Sequence, residues 1–277
     1  MLQPKHDIYE WICYLFLGTS VFCVAYGVAM TFATEIFPIF IKIPLYIASP
    51  FAILQLYAFF EKLYVGKTTL WNSFRNNLKS VLLGCVLIGG IFCLSMGILY
   101  FLGCYEISTV QFDFGSLSEF FFIFMLVAVA EEIICRGIIF RLIRDRWNFG
   151  IALGVSSLLF GFIHLLNENA TVWSAFAIAI SAGCLFGIVY EYYYNLWVPI
   201  GMHWAWNFTE GNIFGCPVSG ANELVSIITP IIKGNEYLTG GEFGPEASII
   251  VVVLVTIVSI MYYIRKISKN SAICIFS

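Results

Sequence analysis

Long stretches without a charged residue alternate with short polar clusters along this chain. The uncharged runs extend from Trp11 to Thr34, Ile43 to Phe60, Ser80 to Tyr105, Trp147 to Asn167, Asn169 to Tyr190, Tyr192 to Thr209 and Ala247 to Ile264. A helix needs ~17 to 25 residues to cross ~30 Å of hydrocarbon, and each run is of about that length. The segment from Glu119 to about Ile143 has the same length but is interrupted by Glu131, Glu132 and Arg136. It completes a set of eight predicted crossings. The first run follows only Lys5 and His6, exceeds the apolar part of a signal peptide and has no small-residue cleavage site, so it reads as a retained helix.

Composition agrees with this pattern. Apolar residues make up 60% and charged residues 11% of the chain, with a mean hydropathy of +0.90, whereas soluble domains carry about 25% charged residues. The fold class predicted is all-α, a polytopic membrane protein of about eight transmembrane helices around a polar intramembrane cavity. No repeat or linker divides residues 1–277, which read as a single membrane domain with its chemistry in helices covering approximately 117–209. The net charge of -3 is too small to imply an electrostatic partner. The lipid bilayer is the expected environment, and nothing points to nucleic acid.

An even number of crossings puts both termini on one side. Twelve of the fourteen basic residues then fall on that side, or eleven if Arg136 is intramembrane, and only Lys42 and Lys233 on the other. By the positive-inside bias both termini are expected to be cytoplasmic.

Several connecting segments carry their own expectations. Gln111 to Glu119 reads as an outer loop, and Lys62 to Lys79 as a cytoplasmic one with room for a surface helix. From Glu210 to Glu246 the chain carries seven glycines, three prolines and five glutamates, with a short apolar piece, Leu224 to Ile232, which suits a re-entrant or interfacial segment. Of the nine cysteines, Cys104 and Cys216 both fall on the outer side, where a disulfide between them is open. The terminal Cys274-Ile275-Phe276-Ser277 has the shape of a prenylation signal but lacks a polybasic companion, and reads as coincidence.

Candidate chemistry sits in the apolar runs, where each ionised side chain costs roughly 2.5 to 3.5 kcal/mol on insertion scales. Glu132 and Arg136 are four apart on a helix, acid first, and form a matched pair. Glu131 points ~100° away and is left for work as a general base. The bland reading is that all three form a structural ion network. His164 follows Phe160 by four residues. It lies as far beyond the Trp147-Asn148 turn as Glu131 lies before it, so on antiparallel helices the two share a depth. His203 and Asn207 are again four apart, and their N–H groups suit an oxyanion site. Singly, each histidine is more often a satisfied core residue.

Together, Glu131-Glu132-x-x-x-Arg136, Phe160-x-x-x-His164 and His203-x-x-x-Asn207 resemble the motifs of the type II CAAX prenyl endopeptidase family, whose bacterial members include bacteriocin-processing and immunity-type proteins. The likeness covers roughly Phe120 to Phe208, and the Gly-rich stretch around Thr239 to Ser248 is similar to one common in bacterial members. The resemblance implies an eight-helix core and intramembrane peptide-bond hydrolysis on a peptide or a lipidated protein C-terminus. Glu131 and His164 would activate water, His203 and Asn207 would hold the oxyanion, and Glu132, Arg136 and Phe160 would support them.

Alternatives remain open at this level. No His-Glu-x-x-His or Gly-x-Gly-Asp pattern occurs, and Asp7, Asp113 and Asp145 lie outside the spanning runs. Cys135 is a candidate thiol nucleophile, though the histidines and Asn207 are explained without it. His164, His203 and Glu131 could hold a divalent metal such as zinc; a cofactor-free route is preferred because Asn207 suits an oxyanion better than zinc. A non-catalytic immunity or transporter-like protein could use the same polar residues for binding.

Overall fold

A computed structural model describes residues 6–34, 39–71, 74–221 and 225–275. Three long helices come first: α1 (Ile8–Thr34), α2 (Ile39–Val65) and α3 (Phe74–Phe101). After strand β1 (Tyr105–Val110), α4 (Phe114–Glu132) continues unbroken through a π-helical segment (Ile133–Phe140) into α5 (Arg141–Arg146). Next come α6 (Phe149–Ile163) with a terminal 3-10 turn (His164–Leu166), and α7 (Val172–Ile178) joined by a π segment (Ala179–Gly183) to α8 (Cys184–Tyr193). The chain then forms α9 (Trp197–Asn207) with a π extension (Phe208–Ile213), strand β2 (Ile228–Ile232), a single turn α10 (Glu236–Thr239) and α11 (Ile249–Ile275).

Among the described residues these make eight continuous helical rods, six of them long and apolar enough to cross a membrane by length and composition. The other two, α4–α5 and α9 with its extension, carry the Glu131-Glu132 and His203-Asn207 motifs. The protein is a polytopic, helical membrane protein. Contacts fix the direction of the rods. The start of α1 meets the end of α2 through His6 and Tyr64, while Arg144 of α5, Glu191 of α8 and Lys266 of α11 meet at the same basic end.

Local sequence explains the boundaries. Asp113 caps α4 by accepting from the Gly115 and Ser116 amides, and Asn148 caps α6 by accepting from Ile151. Thr171 and Ser174 form a reciprocal capping box that starts α7. Tyr194, at φ 49, ends α8 in the left-handed region.

Three expectations are corrected. The piece around Leu224 to Ile232 is not a re-entrant segment: its described part contains β2, which pairs antiparallel with the sequence-distant β1 to form a two-stranded sheet at the end opposite the arginines. β1 carries β-branched Ile107, Thr109 and Val110, and strand pairing wins where the partner piece is too short to span. The predicted outer loop shortens, because Phe114 onward is already helical behind the Asp113 cap, and α3 ends at Phe101 rather than Tyr105. Cys104 and Cys216 are both buried and unbonded. Lys5, Leu224 and the final Phe276-Ser277 lie outside the described residues.

Helices approach most closely where glycine removes the side chain. At Gly84 of α3, an added Cβ would lie 2.2 Å from the Val198 carbonyl oxygen of α9, and at Gly201 of α9 it would lie 2.2 Å from the Val81 oxygen of α3. The two backbones therefore touch, as small residues permit between helices in lipid. Replacing Gly201 with Ala should cost about 1–3 kcal/mol of stability by overpacking. Gly97→Ala, in open space on the same α3, should leave the purified protein's melting temperature unchanged or slightly raised, a contrast that a thermal unfolding assay in detergent measures.

Candidate functional site

The α4 rod presents two neighbouring acids to different surroundings. Glu132 is wholly inaccessible, and its Oε1 accepts from Arg136 Nη1 at 2.8 Å and from His203 Nδ1 at 3.0 Å. Its second carboxylate oxygen has no partner among the described residues. Glu131 keeps 25% of its side chain accessible, accepts from the Tyr26 hydroxyl at 3.4 Å, and lies 3.9 Å from His203 Nε2. The expected division is present: one acid tied to the arginine, one left open.

Arg136 is fully buried. Its Nη2 donates to the carbonyls of Ala182 (3.2 Å) and Gly183 (3.1 Å), at the end of the π segment between α7 and α8, where the backbone ladder changes register. The guanidinium carbon is 4.5 Å from the centroid of the Phe160 ring and 5.3 Å from that of Phe186, so two aromatic faces cover what hydrogen bonds do not.

Phe160 also links the histidines. Its ring centroid is 4.9 Å from His164 and 5.8 Å from His203, and its carbonyl takes His164 Nδ1 at 2.6 Å. A carbonyl can only accept, so Nδ1 of His164 carries the hydrogen; a neutral ring then has an open lone pair on Nε2. Nδ1 of His203 donates to Glu132 by the same logic, which turns Nε2 toward Glu131. Both imidazoles thus offer the same nitrogen for proton transfer.

Asn207, one turn beyond His203, is 8% exposed, and its carboxamide makes no hydrogen bond among the described residues. The Trp-rich stretch is anchored inside the protein. Trp197 donates to the Leu70 carbonyl, Trp204 to that of Phe121 and Trp206 to Glu210.

Glu131 and His164 lie on antiparallel rods, each fifteen residues from the end nearest the Trp147-Asn148 turn. That is roughly 22 Å at the helical rise. No hydrogen bond joins them among the described residues. Among the same residues no three of His, Cys, Asp and Glu are grouped to hold a metal ion, so the His164, His203 and Glu131 set is not brought together as ligands. Cys135 is buried on the π segment.

Two contributors have no counterpart in the sequence reading: Tyr26 on Glu131 and Phe186 over Arg136. Neither is marked off from the neighbouring aromatic residues by its spacing.

Comparison with known proteins points the same way. Residues 113–209 match the profile described as type II CAAX prenyl endopeptidase Rce1-like. An "Uncharacterized protein YpbD" of Bacillus subtilis (strain 168) is 28% identical over 107 residues, which is 39% of this chain and 49% of the relative. The match thus spans about half the length of the curated relative. No solved structure matches.

If the Glu132–Arg136 pair is the keystone, Arg136→Met should leave a buried, unmatched carboxylate and cost about 3–5 kcal/mol. The double variant Glu132→Gln/Arg136→Met should recover part of that loss, as read from unfolding of the purified proteins.

Proposed function

We propose that this protein is an intramembrane endopeptidase of the CAAX-processing type, and that Glu131, His164, His203 and Asn207 carry its reaction. The observation that supports this most directly is His203 between two carboxylates, Nδ1 on inaccessible Glu132 and Nε2 facing accessible Glu131. Glu132, matched by Arg136, orients the ring and leaves Glu131 free to take a proton from water.

In the proposed reaction the water oxygen attacks the peptide carbonyl carbon as its proton passes to Glu131. The tetrahedral oxyanion accepts from the Asn207 carboxamide and from His203 in the form protonated on both nitrogens. The C–N bond then breaks, and the leaving amine takes a proton returned through Glu131 or through Nε2 of His164. Water and amide become carboxylic acid and amine, with no covalent enzyme intermediate.

The metal-free route is preferred because Asn207, one turn beyond His203, suits an oxyanion better than zinc. Nδ1 of each histidine is held by a protein acceptor, which leaves Nε2 open in either route. A zinc-bound form would need His164, His203 and Glu131 to converge from their present positions.

An apolar groove of about 680 Å³ opens between α2, α4 and α9, lined by Ile47, Phe51, Met125, Val129, Ile200 and Trp204 among others. Val129 precedes Glu132 by three residues and Ile200 precedes His203 by three, so the groove runs beside the site. It suits a hydrophobic or lipidated substrate segment lying in the bilayer. With Arg136 buried inside the protein, the eleven-to-two split of the remaining basic residues supports placing the arginine-bearing end and both termini in the cytoplasm, and the resemblance to bacterial family members supports a bacterial-type plasma membrane.

Glu131→Gln, nearly the same size, should lower kcat for a cleaved reporter peptide by about 10²–10⁴ with an unchanged melting temperature. Cleavage at the wild-type rate by that variant would remove Glu131 from the reaction, and normal cellular function in it without cleavage would favour the binding-protein alternative. Asn207→Ala should cost about 10²–10³ in kcat. Chelator treatment should leave activity intact, and metal analysis of the purified protein should find zinc well below one per chain; stoichiometric zinc that tracks activity would overturn the metal-free route.

A further inference from the structure

The first helix lies outside the matched residues 113–209, yet it reaches the site. α1 is apolar on every side, so burial rather than composition shows which face it turns inward. Trp11, Phe22 and Ala29 are buried, whereas Phe16, Leu17, Val24 and Val28 are exposed. Intervals of seven and four residues put Trp11, Gly18, Phe22 and Ala29 on one stripe, and Tyr26 continues it four residues after Phe22. Trp11 Nε1 donates to the Leu142 carbonyl at 2.8 Å. At Gly18 an added Cβ would lie 2.8 Å from the Phe60 ring and 3.5 Å from Ile138 Cγ2, so α1 comes close to both α2 and the π segment there. The Phe22 ring packs edge-on against those of Tyr57 and Phe60, each with its centroid 6.2 Å away. Along α1 from Trp11 through Gly18 to Tyr26, the partners on the α4–α5 rod run back from Leu142 through Ile138 to Glu131. The two rods are antiparallel, and their register places the Tyr26 phenol at the first of the two acids.

That register gives the two oxygens of Glu131 different surroundings. The Tyr26 hydroxyl donates to Oε1 at 3.4 Å, and Oε2 lies 3.9 Å from His203 Nε2. An ionised carboxylate only accepts, so the phenol is the donor and directs its hydrogen at Oε1. The contact is long for an O–H···O bond, as those of a catalytic group commonly are before substrate arrives. Oε2 is beyond hydrogen-bond length from the imidazole and keeps its lone pairs for water. Glu132 is fixed by an arginine and an imidazole, but Glu131 is a quarter accessible, and the Tyr26 hydroxyl is its hydrogen-bond donor among the described residues.

We propose that Tyr26 is a positioning residue for the reaction: its hydroxyl holds Oε1 of Glu131, so that Oε2 is the oxygen that takes the proton from water beside His203. The first helix is then part of the site and not only a lipid-facing support. A reacting group misplaced by ~1 Å can cost about 10²-fold in rate, and one long hydrogen bond of this kind should account for about tenfold. A phenylalanine at the same position would keep the ring and its packing while losing the donor. The kinetic consequence rests on the proposed protease reading; the contact between phenol and carboxylate does not.

The test uses the full chain in lipid nanodiscs and a quenched fluorescent peptide ending in a farnesylated Cys-aliphatic-aliphatic-X sequence. Tyr26→Phe should lower kcat about tenfold, with KM within twofold of wild type and an unchanged melting temperature. Tyr26→para-aminophenylalanine, which returns a donor to the same place on the ring, should restore part of the rate. In a Glu131→Gln background Tyr26→Phe should cause no further loss, because the hydroxyl then has no general base to hold. The chain has 15 tyrosines, so 3-fluorotyrosine is introduced at position 26 alone. Its fluorine resonance should move in Glu131→Gln and stay in place in Glu10→Gln, a change on the same helix. A kcat for Tyr26→Phe within twofold of wild type would overturn the proposal, as would a fluorine resonance that Glu131→Gln leaves unmoved. A joint loss of rate and melting temperature that the amino variant does not reverse would also overturn it, by reducing Tyr26 to packing. A wild-type protein that cleaves nothing would count against the protease reading alone, and the fluorine resonance would then decide whether Tyr26 holds Glu131.

Discussion

A buried guanidinium group needs partners for its charge, and the arrangement around Arg136 follows from that need. Arg136 is fully enclosed, so an unmatched charge there would cost several kcal/mol; both terminal nitrogens are matched, while Nε has no hydrogen-bond partner among the described residues. Arg136 uses three devices at once: a carboxylate one helical turn away, two backbone carbonyls from another rod, and two aromatic faces. Those partners come from α4, α6 and the α7–α8 rod, and Glu132 in turn holds His203 of α9. One side chain therefore sets the relative position of the rods that carry the chemistry.

Irregular backbone accompanies this arrangement. The three π segments, Ile133–Phe140, Ala179–Gly183 and Phe208–Ile213, contain Arg136, supply its carbonyl acceptors, and follow directly on Asn207. A π turn displaces the side chains beyond it and offers carbonyls that a regular ladder would use up. Small residues do related work elsewhere. Gly84 and Gly201 bring α3 and α9 into backbone contact, and Gly161 of α6 packs where a Cβ would meet the Ala175 oxygen at 2.3 Å. Rods held that closely leave little room to slide, which suits a site whose parts come from four of them.

Much of this was legible in the sequence because the bilayer makes local patterns informative. The four-residue spacing of Glu132 and Arg136 predicted their pairing, and the equal distances of Glu131 and His164 from Trp147-Asn148 predicted antiparallel rods about that turn. The spacing Phe160-x-x-x-His164 proved to mean a carbonyl acceptor and a ring contact, both consequences of helical geometry. Other features depend on contacts distant in sequence. Tyr26 is 105 residues from Glu131, and nothing in the first apolar run distinguishes it from its neighbouring aromatics. β2 lay within an apolar run too short to span, which suggested a re-entrant or interfacial segment because its partner strand is more than a hundred residues away. Register changes of one residue, as in the π segments, leave no compositional trace.

The adjacent glutamates show how a single helix separates stability from reactivity. Consecutive residues on a helix diverge by ~100°, so one carboxylate can face the packed interior while its neighbour faces accessible space. Glu132 is inaccessible and saturated on one oxygen by an arginine and an imidazole; Glu131 retains a quarter of its surface and only a long contact with a tyrosine hydroxyl. A proton acceptor must be reached by water, whereas an orienting anion must be protected from it. Exchanging the two roles would demand that Arg136 follow the acid around the helix and abandon the carbonyls of Ala182 and Gly183. The order of the two acids relative to Arg136 therefore determines which one is free to react, and His203, touching both, is the group through which the protected acid orients the exposed one's partner.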